Sequence, residues 1–169
     1  MRVWQGLRRG WLTKGVAGLL MSLATVGVVR AQDQLGFARA KHLRRGINLS
    51  MWYAQARDYS AERLASYTTP SDFKLVHELG FDHVRLSINP VPLMADAQTG
   101  ALDPAAMARL DETVKQITSA GLVVVLDMHP EETWKKEVTM TDEGTALFFR
   151  YWKNFAQHYA GERSGEGLL

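Results

Sequence analysis

The chain has 169 residues, 46% of them hydrophobic and 22% charged, with a formal net charge of +2 and no cysteine. That composition is globular and long enough for one ordinary domain, and the lack of cysteine excludes disulfides, thiolate nucleophiles and Cys-ligated metals. The positive charge belongs to the first 31 residues, where Arg2, Arg8, Arg9, Lys14 and Arg30 have no acid among them; taking these five from +2 leaves −3 for the remainder, with no basic excess to meet nucleic-acid phosphates.

Those 31 residues read as an export signal. The basic stretch is followed by a small-and-apolar run from Gly15 to Val29, shorter than the ~20 residues that cross a bilayer as a helix. Val29 and Ala31 place small residues where a signal peptidase reads them, so cleavage is expected after Ala31 and the product is expected to be secreted or periplasmic, with no stable membrane insertion. Arg8-Arg9-Gly10-Trp11-Leu12 also resembles a twin-arginine signal. An uncleaved anchor is the alternative.

Gln32 to Arg45 is a polar lead-in, and Gly46 to Trp52 a short first strand with Asn48 and Trp52 near its outgoing end. Ala54 to Thr68 is an irregular polar connection. Thr69-Pro70-Ser71-Asp72 starts a helix, because Thr69 can cap, proline suits the first helical position and Asp72 meets the positive end of the dipole. Phe73, Val76 and Leu79 form its apolar face and Gly80 ends it. From Phe81 to Pro90 a second strand alternates Val84, Leu86 and Ile88 against Arg85, Ser87 and Asn89. An arginine in mid-strand fits the inward side near the top of a closed barrel, where a charge meets solvent and substrate.

After a Pro-, Ala- and Gly-rich loop to Leu102, Asp103-Pro104 starts a second helix, with Met107, Leu110, Val114 and Ile117 on one stripe and Gly121 past its end. The aliphatic run Leu122 to Leu126 predicts a strand buried on both faces, the kind found in parallel sheets. Asp127, Met128 and His129 follow it and Pro130 stops it, so titratable groups sit at a carboxyl strand end, where α/β folds place ligand sites. Glu131 to Met140 reads as a charged loop. Thr141 to Ala160 is a third helix with a core-facing aromatic stripe at Phe148, Tyr151, Trp152, Phe155 and Tyr159, and residues 161–169 form an irregular tail. The order is β-α-β-α-β-α with parallel strands, in an open sheet or part of a barrel. No G-x-G-x-x-G or phosphate loop follows a strand, which argues against the nucleotide-binding open sheet.

Four segments together resemble glycoside hydrolase family 5, the cellulase-like enzymes of the retaining (β/α)8 clan. Arg45 to Leu49 resembles the family's first strand and Leu79 to Ser87 its second, whose arginine lies under the catalytic centre. Ala120 to His129 resembles its third strand, whose histidine lines the sugar site. Phe148 to Trp152 with Phe155 to Tyr159 resembles the helix before its fourth strand.

The resemblance implies an α/β fold, the N-terminal part of a (β/α)8 TIM barrel in about three βα units over residues 46–160. It also implies retaining hydrolysis by two glutamates with carboxyls ~5 to 5.5 Å apart. One would close the fourth strand in an Asn-Glu pair and the other the seventh, and neither is expected within this chain. The chain is therefore expected to be a fragment of a secreted endoglucanase-like hydrolase, inactive by itself. Arg85, His129, Asn48 and Trp52 are its candidate substrate-binding or supporting residues, Trp52 as a sugar-stacking platform or an ordinary rim aromatic. A hydrogen-bonded structural histidine is the alternative for His129, and a structural ion pair for Arg85. Glu131 and Glu132, adjacent on one loop, read as solvated charges. Asp127 and His129 could share a face as a metal pair but lack a third ligand, so no metal or other cofactor is expected. The expected partner is a polysaccharide or oligosaccharide. The other reading is a non-catalytic exported protein that binds sugar or self-associates through unpaired sheet edges.

Overall fold

In the computed structural model, residues 40–41 and 43–160 are described, and the account below concerns the unit that begins at Leu43. The expected signal segment and the tail at 161–169 lie outside the described residues. Three strands, β1 (Gly46–Leu49), β2 (His83–Ile88) and a third at Val123–Met128, form a parallel sheet with β2 in the middle. Between β2 and that third strand, a 3-10 turn at Val91–Leu93 leads into a small antiparallel hairpin of β3 (Met94–Asp96) and β4 (Ala101–Leu102). Val123–Met128 is therefore β5. The helices are α1 (Ala61–Ser66), α2 (Pro70–Glu78), α3 (Pro104–Ser119), α4 (Glu132–Met140) and α5 (Asp142–Ala160).

The two helix starts predicted from proline follow from local chemistry. At α2 the Thr69 amide donates to the Asp72 carboxylate at 2.7 Å, and at α3 the Asp103 carboxylate accepts the Ala106 amide at 2.6 Å, so first-turn donors and the cap amide find partners. Gly80 and Gly121 end these helices with φ of +83°, a conformation that costs an L side chain about 1–2 kcal/mol. The core lies between the sheet and the helices: Val84, Leu86 and Ile88 of β2 are fully buried in one cluster with Phe73 of α2, Leu110 and Ile117 of α3, and Val124 of β5. Each such side chain contributes roughly 1.5–3 kcal/mol by leaving water. On α5, Tyr151 and Phe155 join the core, Phe148 and Tyr159 are half-buried, and Trp152 is exposed.

Several expectations need correction. Leu79 does not belong to the buried face of α2: it is the residue at which the helix ends, with ψ near 1°, and it is exposed. The β5 run is not buried on both faces; Val124 is buried, whereas Val123, Val125 and Leu126 are half-buried, because β5 pairs only with β2 among the described residues. Glu131 to Met140 is not a loop but largely α4, held by Trp134 and Val138 turned inward four residues apart. The connection before Thr69 contains α1, whose first turn is closed by Ser60 accepting the Arg63 amide at 3.3 Å and whose Leu64 is buried. Gly100, at the turn of the β3–β4 hairpin, has φ +68° and lies so close to the Tyr151 backbone that a Cβ would sit 2.7 Å from its nitrogen. Among the described residues, no helix is long and apolar enough to cross a membrane.

Candidate active site

Parallel pairing fixes which residues can meet. The register sets Asn48 beside Arg85, Arg85 beside Val125, and Ser87 beside Asp127. Alternation along each strand sends Asn48, Arg85, Ser87 and Asp127 to one face while Val84, Leu86, Ile88 and Val124 take the other. The polar face gathers toward the carboxyl ends of the strands.

Arg85 is its centre. One guanidinium nitrogen donates to Asn48 Oδ1 at 2.6 Å and to Ser87 Oγ at 2.9 Å, and the other donates to Asp127 Oδ2 at 2.5 Å. Ser87, 2% exposed, sits between them and donates to Asn48 Oδ1 at 3.3 Å. His129 joins through the same carboxylate, its Nδ1 being 3.5 Å from Asp127 Oδ2, while its amide extends the ladder past β5 by donating to Ile88 O at 2.7 Å. A charged, rigid fork on one carboxylate and one amide oxygen holds three strands in fixed lateral positions. The Arg85 and His129 side chains remain 40% and 39% exposed, so the face is open to a ligand.

A second polar group stands at the same ends of the strands. The Tyr59 hydroxyl, from the loop after β1, donates to Glu131 Oε1 at 3.0 Å and accepts from Asn89 Nδ2 and the Ala56 amide, each at 3.3 Å. Asn89 is buried just past β2, and its carboxamide oxygen accepts the Val91 amide at 3.2 Å. Partial burial raises the Tyr59 pKa, against which the hydrogen bonds from Asn89 and Ala56 work, while Glu131 adds to the rise. Among the described residues, no three His, Asp or Glu side chains gather where they could hold a metal ion.

The family model for cellulase (glycosyl hydrolase family 5) matches residues 44–164. The chain belongs to glycosyl hydrolase family 5. It is 28% identical over 124 residues to Endoglucanase C of Acetivibrio thermocellus, covering 70% of this chain and 36% of that protein. With Cellodextrinase A of Ruminococcus flavefaciens it shares 28% identity over 128 residues, 72% of this chain and 37% of the relative. The endoglucanase Cel5A of Thermotoga maritima superposes with a TM-score of 0.60 at 26% identity, over 73% of this chain and 38% of the other. That enzyme has also been solved with cellobiose and with mannotriose. The chain thus spans little more than a third of its relatives, and its parallel sheet and helices correspond to part of their TIM barrel.

Within this family 5 sheet, Asn48, Arg85 and His129 come together, Asn48 by direct contact with Arg85 and His129 through Asp127. Trp52 does not join them, and the expectation of a sugar platform or rim aromatic is corrected. Its ring is 1% exposed, packs against Tyr53 and Phe73, and donates from Nε1 to Leu64 O at 2.9 Å, so no ring face is left for a sugar. The sequence marked Asp127 as a titratable group at a ligand-binding strand end and as half of a metal pair, whereas the arginine on the neighbouring strand takes its carboxylate. Sequence reasoning named Asn89 only as an alternating polar position of the second strand, and it gave Tyr59 no role. Their signal was position: each lies shortly after a strand, on the side where α/β folds bind ligands.

Proposed function

We propose that this family 5 chain is the N-terminal part of an exported, endoglucanase-like hydrolase that cuts β-linked glucan or mannan by a retaining two-glutamate mechanism, and that residues 1–169 alone bind saccharide without cleaving it. The observation that carries this reading is the Arg85 clamp on Asn48, Ser87 and Asp127 beside His129, at the carboxyl ends of parallel strands. The relatives' names support the substrate class, and the cellobiose and mannotriose complexes of one of them support a gluco- or manno-oligosaccharide. In this reading Asp127 orients His129 from its Nδ1 side, leaving Nε2 for a sugar hydroxyl, while Arg85 ties the floor of the site together. The acid/base and nucleophile, carboxyls ~5 to 5.5 Å apart in a retaining enzyme, lie outside these 169 residues.

The test has two parts. Incubation with carboxymethylcellulose and with mannan should release no reducing sugar, whereas titration with cellotetraose should shift the NMR signals of Arg85, Asp127 and His129, with affinity falling about tenfold in His129→Ala. Sugar release lost in His129→Ala would overturn the assignment of an inactive chain, and absence of any saccharide binding would overturn the site. Export predicts that the product recovered outside the cytoplasm begins at Gln32.

A second reading, a self-associating half-barrel without saccharide binding, draws on the edges of β1 and β5, each of which pairs only with β2 among the described residues, and on exposed Ile47 of β1. Sedimentation equilibrium separates the two, since a monomer that binds cellotetraose refutes it.

A further inference from the structure

Glu131 lies two residues beyond His129 and occupies the N-cap position of α4, yet its side chain caps nothing. Its carboxylate is instead held from across the strand ends by the Tyr59 hydroxyl at 3.0 Å. The bonds around that hydroxyl run one way. Asn89 donates to Tyr59 and Tyr59 donates to Glu131; with the Ala56 amide as a second donor to the hydroxyl, Tyr59 has its one proton committed and both acceptor positions filled. Asn89 is itself fixed by burial and by the Val91 amide. The relay therefore ends on a positioned carboxylate rather than on a mobile one.

What Glu131 lacks is equally informative. Among the described residues no lysine, arginine or histidine pairs with it, and no donor but Tyr59 reaches its carboxylate, whose Oε2 is left over on an exposed side chain. Adjacent Glu132 shows the ordinary alternative, a solvated pair with Lys136 at 3.5 Å on the α4 surface. A carboxylate held by one hydrogen bond, with a free oxygen and no cation partner among the described residues, two residues past His129 in the chain, matches the donor-rich edge of a sugar, whose hydroxyls each offer a proton to an acceptor. With Asn89 buried and Tyr59 half-buried behind it, the donor chain that holds the acceptor is in place before the ligand arrives.

We propose that Glu131 accepts hydrogen bonds from hydroxyls of the bound saccharide and that Tyr59 is the residue that positions it. The proposal rests on the saccharide site described above and adds a wall to it, on the side of the β1–α1 loop. It also reassigns Glu131 from a solvated charge to a binding group.

Isothermal titration of the 169-residue chain with cellotetraose tests it. Glu131→Ala should weaken binding about tenfold, as expected for loss of a charged hydrogen-bond acceptor, and Glu131→Gln, which keeps an acceptor oxygen, should recover to within about threefold of the parent. Tyr59→Phe should weaken binding by about three- to fivefold in the parent and have no further effect in the Glu131→Ala background, because it acts only through Glu131. Unchanged affinity in Glu131→Ala overturns the proposal while leaving the saccharide site standing. An equal loss from Tyr59→Phe in both backgrounds overturns the positioning role. A parent chain that binds no cellotetraose overturns the site itself and this wall with it.

Discussion

Replacing Arg85 by methionine keeps the length and apolar stem of the side chain and removes the guanidinium, which tests whether the clamp is a structural as well as a chemical centre. Arg85 donates to two neutral oxygens, at 2.6 and 2.9 Å, and to one carboxylate at 2.5 Å. Breaking a fully buried ion pair costs ~3–5 kcal/mol and an exposed pair contributes ~0–1 kcal/mol. With side chains 40% and 31% exposed, Arg85 and Asp127 fall between these limits, so Arg85→Met should cost about 2 kcal/mol, of which about 1 kcal/mol is the pairwise coupling to Asp127. The assay is equilibrium urea unfolding followed by tryptophan fluorescence, in which about 2 kcal/mol lowers the midpoint by about 1 M. Arg85→Met, Asp127→Asn and the double variant together form a cycle. A coupling energy below about 0.3 kcal/mol would mean that solvent screens the pair and that Arg85 serves the ligand rather than the sheet.

Gly100→Ala should destabilise by about 2–4 kcal/mol, because at φ +68° its new methyl would meet the Tyr151 backbone at 2.7 and 2.9 Å. Gly121→Ala should cost only about 1–2 kcal/mol, since at φ +83° its methyl meets the movable His77 ring at 3.1 Å; thermal unfolding that ranks the two the other way would refute the comparison. Tyr151 is fully buried and its hydroxyl finds no partner among the described residues, so Tyr151→Phe should be neutral or stabilising by up to about 1 kcal/mol. Burial also raises the Tyr151 pKa above its ordinary 10.0, so its contribution is intact below that value and is lost at higher pH as the unfolded chain ionises first; the loss of stability above pH 10 should be shallower in Tyr151→Phe. Asp82 has the opposite sign: the His83 hydrogen bond, aided by the Arg45 and Arg44 amides, lowers its pKa below 3.8. Its stabilisation is present above 3.8 and is lost as pH falls through the depressed value, and acid unfolding of Asp82→Asn should show a weaker pH dependence in that range.

What could be read from the residues was what local chemistry decides. Asp103-Pro104 starts a helix because the cap and the proline act within one turn, and Arg85 stood out because a charge interrupts an otherwise alternating strand. Its partner is 42 residues away, however, and only the strand order says that Asp127 stands on the adjacent strand. Burial of Trp52 was unreadable for the same reason: it depends on Leu64 O, 12 residues on, and on the Phe73 ring. In α4 the charges of Glu131, Glu132, Lys135 and Lys136 masked a two-residue apolar signal, Trp134 and Val138. The aliphatics of β5 announced a strand but not how many neighbours it has, which is a property of the sheet.

The core and the clamp depend on one register. Val84, Leu86 and Ile88 are fully buried on one face of β2, and Arg85 and Ser87 reach Asn48 and Asp127 on the other. Because side chains alternate with a period of two, a slip of one residue would carry the guanidinium toward Phe73 and Leu110 and turn three aliphatics to the open face. Such a slip would bury an unpaired charge and lose roughly 1.5–3 kcal/mol for each displaced aliphatic. The apolar face thus fixes the position of Arg85 before any ligand is present. The polar face adds the lateral ties that bring Asn48 and Asp127 to it. Substitutions on the helix side of β2 should consequently reach the Arg85 clamp through register, even though none of those side chains faces it.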